Sequence, residues 1–306
     1  MRGRKKGGGR IPTSLGKVGV LPLFLFLLTG CSGVQVSTIK TTPPALREAV
    51  QPGRKAEEAA DRLPVELLPA YEKLTYSVRW VGLPIGTLAV SIKAGQEYRG
   101  REVYLLEAVM KTNDFLSRIY RIGDRYISYM DARKLHTLRH EVYRRDGSYK
   151  KDAVTEFDQD RHRARFKDLL DNSEKTFPVP PGVHDLLSSF FHFQLIPLSA
   201  GDTIEYYVCN NEKNYTLIHS VVSSASLRLS RLRKEPWRAL VVEPAAFRIQ
   251  DNSPVKKGRV TAYFSSDPRR ILLMAVVKGP IFTRVTFTLE NIERKYPQKS
   301  GDGFII

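Results

Sequence analysis

Residues able to do covalent chemistry are few, and their spacing supports little. The 306 residues include two cysteines and six histidines. His184, Ser188 and His192 recur every four residues, which places them on one face of a helix. A serine beside a histidine could carry acyl transfer, the imidazole taking the hydroxyl proton. Asp185 at the start of the same helix offers a simpler account, as a cap for the first N–H groups. His136 and His140 share one face of an expected strand, but two imidazoles need a third ligand to hold zinc well. Ser148-Tyr149-Lys150-Lys151 spells Ser-x-x-Lys, yet that serine leaves a hairpin turn and its Ser-Asp-Asn and Lys-Thr-Gly partners are missing. The sequence has no Gly-x-x-x-x-Gly-Lys loop, no Gly-x-Ser-x-Gly elbow, no His-Glu-x-x-His and no Cys-x-x-Cys. The expectation is a protein without catalytic residues, cofactor or metal.

Charge gives a second set of candidates. Arg161, Arg163 and Arg165 alternate, so they share one face of a strand. With Arg269 and Arg270 they are candidate contacts for phosphate or carboxylate, as on lipid headgroups or acidic glycans. The plainer reading of the ladder is a solvated strand face. The chain holds 49 Lys+Arg against 32 Asp+Glu, a balance of +17. A balance so basic invites nucleic acid as a partner. Its distribution argues otherwise. Residues 1–30 carry Arg2, Arg4, Lys5, Lys6, Arg10 and Lys17 with no acid, and residues 228–284 hold most of the remaining excess.

The basic start is followed by an apolar run, Val18 to Leu28. A membrane-crossing helix needs about 20 residues, so this run is too short to span. A basic segment, a short apolar segment and then small residues is the layout of a secretory signal peptide. The boundary Leu28-Thr29-Gly30-Cys31 resembles the bacterial lipoprotein box. The resemblance implies cleavage before Cys31, acylation of its thiol, and anchoring to a membrane through the acyl chains. Ser32, in place of the aspartate common in inner-membrane lipoproteins, implies the outer membrane, facing the periplasm. Nucleic acid is then no partner. With Cys31 acylated, Cys209 stands alone as a small strand residue.

Three segments follow the signal peptide at 1–30. Residues 31–69 are rich in Pro, Thr and Ala and contain no aromatic residue, which predicts a flexible tether. Residues 70–296 read as a single β-rich domain, and 297–306 as a polar tail. Leu74, Tyr76, Val78 and Trp80 alternate with polar neighbours, the mark of a half-buried strand. Further strands are expected over 103–111, 119–130, 135–145, 148–157, 161–167, 203–210, 213–222, 227–232, 237–242, 259–265, 271–278 and 282–292. Asp146-Gly147 and Asn211-Glu212 predict hairpin turns. One apolar helix is expected near 182–196, between Pro181 and Pro197. The fold class is mainly β: an antiparallel curved sheet or an open, incomplete barrel, with that helix covering its concave side. Phe190, Phe191 and Phe193, with Trp80, are candidate lining for an acyl-chain groove. Burial between helix and sheet is the competing account.

Several of these segments carry a family resemblance. Tyr76-Ser77-Val78-Arg79-Trp80 followed by Gly82-Leu83-Pro84-Ile85-Gly86-Thr87 resembles the opening of the secreted bacterial family DUF3108. Gly182 to Asp185, Leu198 to Asp202, and Lys257 to Arg270 with its Ser-Asp-x-Arg-Arg turn match the family's later layout. The likeness covers roughly 71–292 and implies an envelope protein with curved β architecture. It brings no catalytic residues. A weaker architectural likeness is to the periplasmic lipoprotein carrier and its outer-membrane receptor.

The expected function is a tethered, non-enzymatic envelope lipoprotein that binds a hydrophobic or amphiphilic component, with a lipid or acidic glycan as ligand. One alternative is a scaffold that meets another envelope protein. A hydrolase of envelope polymers, working through His184, Ser188 and His192, is the other.

Overall fold

The structure is a computed structural model that describes residues 36–38, 54–55, 68–80, 82–255, 259–279 and 284–296. Cys31, Leu28, Thr29, Gly30, the signal peptide and the 297–306 tail lie outside the described residues.

Sixteen strands form one sheet. Two short ones, β1 (Val36–Thr38) and β2 (Arg54–Lys55), fall within the segment expected to be a tether. Eight make a first meander: β3 (Tyr71–Trp80), β4 (Leu83–Tyr98), β5 (Arg101–Thr112), β6 (Gly123–Asp131), β7 (Thr137–Asp146), β8 (Tyr149–Asp158), β9 (Arg163–Asp168) and β10 (Glu174–Pro178). Six make a second: β11 (Thr203–Asn210), β12 (Lys213–Leu227), β13 (Trp237–Arg248), β14 (Arg259–Ser265), β15 (Leu272–Lys278) and β16 (Arg284–Lys295). The meanders join where the first strand of one meets the last of the other, β3 against β16, so the spatial order runs from β10 through β3 and β16 to β11 and β2. Pairing is antiparallel throughout, apart from the parallel β2–β11 contact.

Strand alternation decides which side faces the core. In β3, Glu72, Leu74, Tyr76 and Val78 are buried; in β16, Val285, Phe287 and Leu289 are. Their outward neighbours are polar, among them Thr75, Ser77, Thr286 and Thr288. Gly86 is required where β4 crosses β5, since a Cβ there would lie 2.1 Å from the Lys111 carbonyl oxygen.

Between the meanders stands α2 (Leu186–Leu195); the other described helix, α1 (Asp114–Ser117), is a single turn. Asp185 caps α2 by accepting from the backbone N–H groups of Leu187 at 2.7 Å and Ser188 at 3.2 Å, and the Ser188 hydroxyl completes a capping box. Ile196 is extended and ends the helix before Pro197, because a residue preceding proline disfavours helical geometry. Every residue from Leu187 to Leu195 is buried. Its rings reach strands on opposite sides of the sheet: Phe191 meets Tyr104 of β5, while Phe193 meets His219 of β12 at 4.6 Å and Phe264 of β14 at 5.1 Å. The helix therefore fills the concave side. The void beside Phe190, Phe191 and Leu187 is about 10 Å³, at the lower limit for one water molecule.

The sheet is open, and Val179–Asp185 spans the gap. Within it His184 donates its N–H to the Tyr207 carbonyl and accepts from the Cys209 N–H, both at 2.8 Å, so it pairs as a one-residue strand along β11. On the other side the Val183 carbonyl accepts from the Thr137 N–H at 3.3 Å.

Several local expectations change. Residues 228–232 form a turn rather than a strand, because β12 runs unbroken to Leu227 across a bulge at Val221/Ser223. Residues 114–117 are helical, and β6 begins only at Gly123. A short strand at 174–178 extends the first meander. The 146–149 hairpin turns on Gly147 and Ser148, one residue later than expected, with Gly147 at φ +59° supplying the left-handed position. Asn211 and Glu212, at φ +47° and +60°, form the expected two-residue turn.

Candidate functional site

The outward side chains of four neighbouring strands build a pocket of about 350 Å³ on the convex face. Register fixes its floor as rows across β14, β15, β16 and β3. One row is Tyr263, Met274, Thr288 and Ser77; the next is Thr261, Val276, Thr286 and Arg79. Lys278 and Arg284, directly paired, stand beyond them. The turn Arg228–Arg231 covers the floor. Leu229 is buried beneath that turn, and Arg231 is bound to Glu290 at 2.6 Å. A bulge at Leu289/Asn291 shapes the site by turning Glu290 toward the covering loop, where it pairs with Arg231.

The charge of this lining is one-sided. Arg79, Arg228, Lys278 and Arg284 make no ion pair among the described residues, and the single lining acid, Glu290, is already neutralised by Arg231. The Ser77 hydroxyl is buried without a hydrogen-bond partner among the described residues. A buried donor left unpaired costs roughly 1–3 kcal/mol unless a ligand or water completes it. Burial holds the Tyr263 phenol above its ordinary pKa, partly offset by nearby Arg284, so it stays a neutral hydroxyl donor. Four cations with interspersed hydroxyls have the chemistry that an oxyanion requires: guanidinium groups can fork onto phosphate or carboxylate oxygens, and hydroxyls can take the rest.

A second concavity, of about 640 Å³, contains the arginine ladder. Here acids alternate with bases. Glu156 accepts from Arg99 at 2.6 Å, Arg139 at 3.2 Å and Arg165 at 2.8 Å, while Arg161 pairs with Asp158 at 3.3 Å. Arg163 also lines it. The ladder is therefore largely engaged within the protein, and its free charge is small.

Arg269 and Arg270 are not on the surface. Arg269 is buried and donates to Glu72 at 2.6 Å; Glu72, also buried, accepts from Arg294 as well. Arg270 donates to the Pro268 carbonyl at 3.0 Å and reaches the Gln194 carbonyl at the end of α2, where the helix dipole is negative. The Ser-Asp-x-Arg-Arg turn thus fastens the helix inside the sheet. Phe190, Phe191 and Phe193 lie in the packed core, whereas Trp80 is 45% exposed at the end of β3, so the four do not form one groove.

The profile of a family described as "Protein of unknown function (DUF3108)" matches residues 75–288. The chain belongs to this family. No curated protein matches it. Among solved structures, the DUF3108 chain is similar to a β-barrel-like protein of domain of unknown function DUF1849 from Brucella abortus. That match has a TM-score of 0.50 and 8% identity, covering 74% of this chain and 99% of the other. A DUF1329 family protein from Desulfovibrio piger matches with a TM-score of 0.27 and 9% identity, over 80% of this chain and 93% of that one. The first likeness shows a shared β-barrel-like fold.

In this DUF3108 domain the serine–histidine cluster is interior. Ser188 Oγ lies 3.2 Å from His184 Nδ1, but it also bonds Thr137 Oγ1 at 2.6 Å and the Asp185 backbone. Asp185 is fully buried and accepts from Ser128 at 2.5 Å and Thr137 at 2.8 Å. Burial pushes the His184 imidazole well below its ordinary pKa, reinforced by His192 and His136, and burial pushes His192 to about 4. Asp185, Ser188, Thr137, Ser128 and His184 form a buried hydrogen-bond network that joins α2 to β6 and β7. Among the described residues no three His, Cys, Asp or Glu side chains converge as a metal site.

The basic C-terminal half is legible in the sequence, but the pocket is not. Arg79, Ser77 and Lys278 lie on strands far apart in the chain, and only the β3–β16 pairing unites them. The available signal was the outward row of Thr286 and Thr288 beside Arg284, a polar face too hydroxyl-rich for simple solvation.

Proposed function

We propose that this chain is an outer-membrane lipoprotein, acylated at Cys31 and facing the periplasm. Its β-domain holds an anionic amphiphile of the envelope by the headgroup, without chemical turnover. The observation that carries this reading is the convex pocket, lined by Arg79, Arg228, Lys278 and Arg284 together with a Ser77 hydroxyl that has no partner among the described residues. Because α2 occupies the interior, the acyl part of such a ligand stays outside the sheet and only its headgroup is bound. The lipobox resemblance and the signal-peptide layout support the location.

Calorimetric titration of the purified full mature chain with short-chain phosphatidylglycerol tests it, with short-chain phosphatidylcholine and inorganic phosphate as separate arms. Saturable binding of phosphatidylglycerol over phosphatidylcholine is expected, weakening as salt screens the charges. Arg284→Ala should weaken it about tenfold, the cost of one charge-assisted hydrogen bond. Binding of inorganic phosphate with equal affinity would assign the pocket to a free anion. No binding of any probe, or binding unchanged by Arg284→Ala, overturns the reading.

A further inference from the structure

Two connections meet at one end of the sheet and together expose four large apolar side chains. The β3–β4 hairpin presents Trp80, 45% exposed, and Leu83, 64% exposed. The β5–β6 connection presents Phe115 at 75% and Ile119 at 76%. Asn113 holds the two together. Its side-chain amide donates to the Pro84 carbonyl at 2.6 Å and its backbone N–H to the Ile85 carbonyl at 2.9 Å. Asn113 also caps α1 by accepting from the Leu116 N–H at 2.8 Å, so the turn that displays Phe115 is fixed rather than loose.

Cations flank this apolar tip. Arg79, Lys111, Arg118 and Arg121 are exposed on the same two connections and their flanking strand ends, against one exposed acid, Asp114. Isolated exposed apolar residues are normal on a soluble protein; four on two joined turns within a basic border are not. Apolar and aromatic side chains bordered by Lys and Arg match the boundary of a bilayer, where rings sit at headgroup depth and cations meet anionic lipid.

We infer that this end of the domain, with Trp80, Leu83, Phe115 and Ile119 at its tip, docks on an anionic membrane surface. Charge selects that occupant: a neutral apolar partner would leave four cations unmatched, and a second copy would set them against its own. The contact is separate from lipid anchoring at Cys31 and borders the headgroup pocket, with which it shares Arg79. It would orient a tethered domain with the β3–β4 hairpin toward the bilayer.

Trp80 reports the contact directly, since the chain has only two tryptophans, Trp80 and Trp237. The acylated mature chain is placed in vesicles of phosphatidylcholine alone or of equal parts phosphatidylcholine and phosphatidylglycerol. The Trp80→Phe chain supplies the Trp237 signal for subtraction. In both vesicles the acyl chains hold the protein, so a difference belongs to the tip. Expected in the anionic vesicles are a blue shift of Trp80 emission, quenching by brominated acyl chains, and loss of both in high salt. Phe115→Asp with Ile119→Asp should abolish them while the thermal melt stays unchanged, and Ser77→Ala should leave them intact. Identical Trp80 emission in the two vesicles overturns the inference. So does a blue shift that grows with protein concentration without vesicles, which would mark a second copy, or a shift that survives the double substitution.

Discussion

Arg269 and Glu72 are 197 positions apart in the chain, yet their side chains meet at 2.6 Å inside the molecule, both almost wholly buried. Arg294 shares the same carboxylate from β16. The contact ties the turn after β14 to the first strand of the domain, at the seam where the two meanders join. Arg270, the next residue, binds carbonyl groups at the end of α2. One turn therefore locks both the seam and the helix.

Removing one partner from a buried ion pair strands the other charge, which typically costs about 3–5 kcal/mol. Glu72→Ala leaves Arg269 and Arg294 uncompensated and should lower stability by that order in urea unfolding. Arg269→Met is expected to cost less, because Glu72 keeps Arg294. The double variant should fall well short of the sum of the singles. Strict additivity would mean that the pair is not coupled.

The interior imidazoles make stability depend on pH. Burial pushes His192 and His219 down to about 4 and His184 well below its ordinary value. Below an unfolded pKa near 6.5 the unfolded chain binds protons that the folded chain refuses. Stability is thus fully present above that pH, falls as pH drops from about 6.5 to about 4, and levels off where both states are protonated. His192 and His219 each contribute on the order of 3 kcal/mol over this window. His192 has no hydrogen-bond partner at either ring nitrogen among the described residues. His192→Leu should therefore flatten the profile and leave the chain more stable at pH 5. Urea midpoints measured between pH 7 and pH 4 check this, and a slope equal to that of the unaltered chain would refute it.

Most strand positions, the Asn211-Glu212 turn and the single long helix were legible in the sequence because each rests on local chemistry. Alternation of Leu74, Tyr76 and Val78 needs only the pleat, and Asn211-Glu212 needs only two left-handed residues. Asp185 was legible as a cap, since its partners are two and three residues away. Its bonds to Ser128 and Thr137 were not, because they depend on which strands face α2. Arg269 and Arg270 looked like surface charge for the same reason. A doublet after Asp-Pro reads as an exposed turn until Glu72, far away in the chain, accepts it. The β3–β16 pairing is the decisive fact absent from local pattern, and the basic pocket is built on it.

Cys209 offers a probe of the gap in the sheet. Its side chain is 4% exposed, and burial raises its thiol to about 12, so little thiolate exists at neutral pH. Its N–H donates to His184, the residue that stands in for a missing strand beside β11. The Cys209 side chain packs in a cluster with Val179 and Val183 of the spanning segment, so labelling by a thiol reagent requires that segment to move away. Because Cys31 is acylated in the proposed mature chain, Cys209 would be the single thiol to react. In the folded protein the labelling rate should sit far below that of the urea-unfolded chain. Asp185→Ala should raise it by weakening the cap and the bonds to Ser128 and Thr137. Such a rise without a matching loss of global stability would show that the gap opens as a local unit. A labelling rate that tracks global unfolding alone would show instead that Val179–Asp185 is as firmly held as any strand of the sheet.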